Sequence, residues 1–264
     1  MKLFLFSIIL LPFITISIKA ENKAINDSIK STISKIENKY QIKIYYDTKL
    51  PDSIFDIKRK YSLAPDSDYV KLYDYIKLFN KEFNKYPVQF IHKVNLKYIA
   101  IVKEVTNTNG NIRTAVPDRE NEVLYLQYPQ INYYPDYYKH TIHHEFYHMI
   151  EEEINGSSFY KDPLWALFND TSFHYGSGGN SMYDKKINAY EMSHPIKGFI
   201  NLYSASSIEE DKAEIFAILF VDTERKKIEE FAKTDNSLEK KINYMKNFLY
   251  GISKEMQEFL FEER

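Results

Sequence analysis

The reading of this chain turns on Asp136-Tyr-Tyr-Lys-His140-Thr-Ile-His143-His144-Glu145-Phe146-Tyr147-His148-Met-Ile-Glu-Glu-Glu153. Tyr138, Ile142, Phe146, Met149 and Ile150 recur at the spacing of one helical face, so this segment is expected to form an amphipathic helix packed on a sheet. With Ile142 as the core reference and 100° per residue, His144 and His148 lie about 200° and 240° round the helix, and Glu145 about 300°. The two imidazoles are one turn apart, face away from the core and can chelate one zinc ion. Glu145 stands beside them as a carboxylate able to take a proton from water.

Residues 144–148 thus fit H-E-x-x-H. The longer pattern with a following Gly and third His is absent, because Glu151 and Ile154 occupy those positions, so a third ligand must come from elsewhere. His140 is also four residues from His144, but no Glu lies between them. His140 and His143 are expected to support the ligands or to be solvated.

The best source of a third ligand is Tyr203-Ser-Ala-Ser-Ser207-Ile-Glu209-Glu210-Asp-Lys-Ala-Glu214. Ser207 followed three residues later by Glu210 reads as a capping box, which places Glu210 in the first turn of a helix and Glu214 one turn on, on the same face. Glu210 can close a two-His, one-Glu zinc site, while Glu214 accepts the free ring N–H of a ligand histidine.

These residues resemble the gluzincin metallopeptidases of the anthrax lethal factor and Pro-Pro endopeptidase type. They are closer to secreted bacterial zinc-binding metallopeptidases whose second motif reads E-D-x-A-E, as Glu210-Asp-Lys-Ala-Glu214 does. The resemblance runs from about Tyr137 to Phe220 and takes in Trp165-Ala-Leu-Phe-Asn169 and Tyr175-Gly176. It implies zinc ligands at His144, His148 and Glu210, a general base at Glu145, a carboxylate behind the ligands at Glu214, and a phenol facing the oxyanion at Tyr203. Tyr147 departs from the Gly that the lethal-factor group prefers, and the 61 residues between His148 and Glu210 leave room for a specificity insert.

Composition agrees with a folded globular protein. The chain has 264 residues, 44% of them hydrophobic and 27% charged, with 35 basic against 37 acidic side chains. No run of Lys and Arg suggests nucleic acid as a partner. The absence of cysteine excludes disulfides, thiolate zinc sites and a cysteine nucleophile, so any metal must use His, Asp or Glu. Met1-Lys2, the apolar stretch Leu3 to Ile18 and Lys19-Ala20 before Glu21 read as a secretory signal cleaved after Ala20. The stretch is short for a membrane span and contains Pro12, which disfavours a retained anchor.

Elsewhere, Ile25, Ile29, Ile33 and Ile36 predict a helix, and Ile42 and Ile44 a strand. A second helix is expected from an Asp66 or Ser67 cap to a stop at Pro87, with Tyr69, Tyr73, Ile76, Phe79 and Phe83 on one face. Leu96 to Val105 and Glu122 to Tyr128 read as a hairpin or neighbouring strands, the second being the candidate edge that would pair with an extended substrate. Asp162 to Ser193 reads as loop with at most short helices. Beyond it, helices are expected from Ser207 to Asp222 and from Ser237 through Met256.

The expectation is an α+β, gluzincin-like fold: a small twisted sheet packed on the active-site helix, and a mostly helical C-terminal lobe. After a signal peptide at 1–20, residues 21–264 would form one catalytic domain with lobes at about 21–153 and 154–264. The expected function is a secreted or periplasmic bacterial zinc endopeptidase with one Zn2+, a protein or peptide substrate, no nucleic-acid or membrane partner and a monomeric state. The alternatives are a zinc hydrolase of cell-wall amide bonds and an inert zinc-bearing binding protein.

Overall fold

The computed structural model describes residues 10–182 and 188–261, with backbone alone at 10–22, 180 and 181. Residues 1–9 of the expected signal peptide therefore lie outside the described residues, and residues 10–20 belong to the first helix. No described helix is long and apolar enough to cross a membrane.

The chain opens with α1 (Leu10–Tyr40), β1 (Lys43–Tyr45), β2 (Tyr61–Ser62), α2 (Tyr69–Phe83) and α3 (Val88–Lys93). Next come β3 (Tyr98–Val102), β4 (Glu104–Val105), β5 (Ala115–Asp118), β6 (Val123–Gln127) and α4 (Pro135–Asn155). The remaining α-helices are α5 (Pro163–Ala166), α6 (Ile208–Phe220), α7 (Asp222–Ala232), α8 (Asn236–Ile252) and α9 (Gln257–Phe261), with mostly irregular chain between α5 and α6. This is a mixed α/β fold with a small sheet.

The main sheet has the order β1-β3-β6-β5, with β1, β3 and β6 parallel and β5 antiparallel to β6. β2 and β4 form a separate ribbon. Both sheet faces are covered. Ile99, Ile101, Leu124 and Leu126 join the core shared with the helices, while Ala100, Val102, Val123 and Tyr125 pack with Leu50 and Val105 in a second layer. Two-sided burial explains why β3 and β6 are apolar at successive positions instead of strictly alternating.

The strand expectations are met in part. β3 and β6 are neighbours, one of the two readings, but they run parallel and form no hairpin. β6 lies between β3 and β5, so it cannot be the edge; β5 is. Pro117-Asp118, a dipeptide that by composition suits a turn, forms the end of β5, where an edge strand tolerates a residue with no N–H to give.

Helix ends also differ from expectation. A 3-10 turn at Asp66–Asp68 precedes α2 without any side-chain cap, because the Asp68 carboxylate accepts from the Tyr128 hydroxyl (3.1 Å) and pairs with Lys103 (3.0 Å). α2 stops at Phe83, and Pro87 instead precedes α3. α7 was not anticipated, and Met256 sits on a 3-10 turn after α8 ends at Ile252.

α4 begins with Pro135 in its first turn and ends at Gly156, whose left-handed backbone (φ 72°) suits a helix stop. It is buried on most sides, including His143, His144, Tyr147, His148 and Glu151. The ligand face is thus not turned to solvent: α4 packs on α2 and the sheet on one side and on α6 on the other. That α4/α6 contact builds the site.

Candidate metal centre

α4 supplies His144, Glu145 and His148; the N-terminal turn of α6 supplies Glu210, and its next turn Glu214. His144 Nε2 lies 3.0 Å and His148 Nε2 3.6 Å from Glu210 Oε2. Both imidazoles are nearly buried, at 6% and 7% exposure, so these donors converge where little water competes. One ligand atom from each of His144, His148 and Glu210 lies within 4.8 Å of the others.

The capping box does not form. Ser207 occupies the N-cap position of α6 without a side-chain bond, because the Glu210 carboxylate is turned to the histidines. Glu210 is mostly buried, and burial alone would raise its pKa, but His144 and His148 beside it hold the carboxyl well below the usual range. Burial likewise opposes charge on His144, yet Glu210 and Glu214 raise its pKa to about 10.

This electrostatic demand for positive charge tests the fit of a cation. Two imidazole nitrogens and one carboxylate oxygen, converging from two helices, are the donor set of catalytic zinc sites. The residues fit zinc.

Behind them, Glu214 is held from three directions. Its Oε1 accepts from His140 Nε2 (2.9 Å) and its Oε2 from Asn201 Nδ2 (2.6 Å). His144 Nδ1 also lies 2.9 Å from Oε1, off the line of the ring N–H, so this contact is an ion pair more than an aligned hydrogen bond. His140 Nδ1 in turn meets Glu224 Oε2 at 2.7 Å. Burial disfavours its charge, but the flanking Glu214 and Glu224 raise the His140 pKa well above its ordinary value.

His140, His144 and Glu214 also approach closely enough to hold a metal. Their nitrogens both meet one oxygen of Glu214, however, which is the arrangement of donors on a shared acceptor. His143 belongs elsewhere: wholly buried, it touches Tyr86 and Glu82 on the far side of α4.

Tyr203 precedes the 3-10 turn Ser204–Ser206 that leads into α6. Its ring is 5.9 Å from that of His144 and 4.5 Å from that of Tyr190. Two chambers meet at the site. One, of about 700 Å³, is lined by His144, Glu145, His148, Tyr203, Glu210, Arg119 and Phe159; the other, of about 200 Å³, by His144, Glu145, Tyr203, Tyr137 and Tyr190. Ala115 of β5 borders both. Burial raises the Glu145 pKa, against the lowering influence of His144, His148 and Arg119.

Sequence reading did not anticipate Glu224 or Asn201 behind the ligands, Arg119 in the cleft, or Gly179, which abuts Tyr203 and Glu210. Of these only Gly179 carried a visible signal, the run Gly176-Ser-Gly-Gly, which was read as loop.

No protein-family model matches the chain. No curated protein matches it either. Among solved structures it is similar to "a putative zinc-binding metallo-peptidase from Bacteroides caccae", with a TM-score of 0.52 and 15% identity over 90% of this chain and 94% of that one. The likeness is one of fold; the chain itself carries a His/Glu group able to hold a metal.

Proposed function

We propose that the chain is a zinc-dependent endopeptidase, with one zinc ion held by His144, His148 and Glu210. The observation that carries this reading is the convergence of those three donors beside Glu145, where two chambers meet along β5. When bound there, zinc supplies Lewis acidity, polarising the peptide carbonyl and making water more acidic.

The chain's own residues do the rest. Burial makes Glu145 a stronger base than a solvated carboxylate, suited to accept a proton from the attacking water and return it to the leaving amine nitrogen. The Tyr203 hydroxyl donates a hydrogen bond to the carbonyl oxygen as that atom gains charge. Glu214 holds His144 in orientation through Nδ1.

β5 supplies the substrate's backbone partner. Gln127 N–H donates to Thr114 O at 2.8 Å, so the alternation of an antiparallel ladder aims Ala115 N–H and C=O, and Pro117 C=O, away from β6. An extended peptide can add there as a further strand. Residues 1–20 direct the chain out of the cytoplasm, to the periplasm or beyond, where residues 21–264 act as the catalytic domain.

The test is cleavage of denatured protein and of peptidoglycan by the zinc-loaded chain lacking residues 1–20. Proteolysis that is lost to chelator and restored by zinc is expected, with Glu145→Gln retaining zinc but losing turnover by about 10²- to 10⁴-fold. Cleavage of peptidoglycan alone would move the substrate to wall amides. Undiminished proteolysis by Glu145→Gln would sink the proposal.

A further inference from the structure

A glycine-rich strap, Gly176-Ser177-Gly178-Gly179, runs beside the segment that leads into α6. It is tied down by two backbone bonds: Gly176 N–H donates to Ala205 O (3.2 Å) and Gly178 N–H to Ser206 O (2.9 Å). Gly178 has a left-handed backbone (φ +97°), which turns the strap towards the cleft at little cost for a glycine.

The strap then reaches the site. A Cβ on Gly179 would stand 2.5 Å from Glu210 Oε1, 2.9 Å from Tyr203 Cζ, and closer still to the Tyr203 hydroxyl. Those are overlaps, so something would have to move. By contrast, Gly110, Gly156 and Gly251 have nothing within 4 Å of such an atom. Gly179 alone among the seven glycines abuts two side chains of the candidate site.

Neither neighbour can yield freely. Tyr203 is only 6% exposed and packs on Tyr190, and Glu210 is fixed by His144 and His148. We infer that Gly179 is a positioning residue: its lack of a side chain lets the Tyr203 phenol and the Glu210 carboxylate occupy their places at the metal, and any Cβ there displaces the phenol first. The inference rests on the roles proposed above for Tyr203 and Glu210. It adds a requirement those roles do not contain, that the wall facing them be bare main chain.

The experiment compares Gly179→Ala with Gly251→Ala, the same chemical change made in open space on α8, and with Tyr203→Phe alone and combined with Gly179→Ala. Thermal transition, kcat, KM and zinc affinity by chelator competition are measured on each zinc-loaded protein. Gly179→Ala should unfold near the wild-type temperature, keep its KM, lose kcat by about 10²-fold or more, and bind zinc up to about 10-fold more weakly. Gly251→Ala should match wild type in kcat, KM and zinc affinity and unfold no lower, since Ala favours a helix over Gly.

In the Tyr203→Phe background, Gly179→Ala should cost far less, because the atom nearest the new methyl is gone. Wild-type kcat and zinc affinity in Gly179→Ala, a fully additive double variant, or loss of the folded state would each overturn the inference while leaving the proposed function standing. A wild-type chain that binds no zinc overturns the functional proposal, and this inference with it.

Discussion

His143 and His144 are neighbours on α4, yet the two faces of that helix put them to opposite uses. His143 is wholly buried between Tyr86 Oη (2.5 Å from Nδ1) and Glu82 Oε2 (3.1 Å from Nε2). A neutral ring satisfies both if Tyr86 donates to Nδ1 and Nε2–H donates to Glu82. Glu82 is itself paired with Lys85, and burial dominates, pushing the His143 pKa down to about 4. On the other face, Glu210 and Glu214 attract positive charge to His144. The comparison teaches that equal burial can leave two imidazoles in opposite states: it prevails at His143, whose one facing carboxylate is already paired with a lysine, and is overcome at His144, which two carboxylates face.

The largest effect that could break this contrast is on metal binding. Combined His144→Ala and His148→Ala should abolish zinc binding, and so should Glu210→Ala, whereas His143→Gln should retain zinc and lose about 1 to 3 kcal/mol of stability through its two stranded partners. Metal analysis and thermal unfolding read these separately. Stoichiometric zinc in the double variant would show that the two faces have been assigned the wrong way round.

Acid should expose the other side of the comparison. A histidine whose folded pKa is about 4 binds fewer protons than the same residue unfolded, at about 6.5, throughout the window between them. The unfolded state therefore gains protons as pH falls. The stability held by neutral His143 is complete above about 6.5 and is lost as pH drops towards 4, by roughly 3 kcal/mol. Denaturant titrations across that window should show the loss, and a chain with His143→Gln should show a correspondingly shallower slope. An unchanged slope in that variant would assign the acid sensitivity to other groups.

A smaller effect sharpens the register of the acids on α6. Glu214→Ala should weaken zinc by about 10- to 100-fold by releasing His144, while Glu209→Ala should be nearly silent. Chelator competition distinguishes them. Complete loss of zinc with Glu214→Ala, and retention with Glu210→Ala, would make Glu214 the ligand and shift the register by one turn.

Much of this contrast could be seen in the sequence, and the reason is period. His144, Glu145 and His148 stand at helical spacing on α4, and Glu210 and Glu214 repeat that spacing on α6, so local geometry was enough to put each pair of side chains on one face of its helix. Period fails where one helix is buried on several sides. His143 was expected beside the ligands or in solvent, but it packs against Tyr86 and Glu82, 57 and 61 residues distant in the chain, which no local pattern records. β5 escaped because Pro117 signals a turn more strongly than an edge strand. Gly179 looked like a loop residue because the atoms that exclude its side chain, on Tyr203 and Glu210, belong to residues too distant in the chain for local spacing to record.

The smallest predicted effect concerns the outermost member of the charged row, Glu224 on α7. It contacts His140, which contacts Glu214, which faces His144, so it reaches the metal position only through those three side chains. Each intervening contact can relax, and the consequence of removing Glu224 should fade accordingly. Glu224→Ala is expected to weaken zinc by less than about 10-fold, below the cost of Glu214→Ala. It should add nothing in a chain that already carries Glu214→Ala, because the connection is then broken nearer the metal. Glu224→Gln should fall between wild type and Glu224→Ala, since its amide oxygen can still accept from His140 while the charge is gone. Two zinc ions per wild-type chain would contradict this picture directly: His140, His144 and Glu214 would then be holding a second ion, and Glu224 would be orienting a ligand of that ion instead of steadying the carboxylate behind the first.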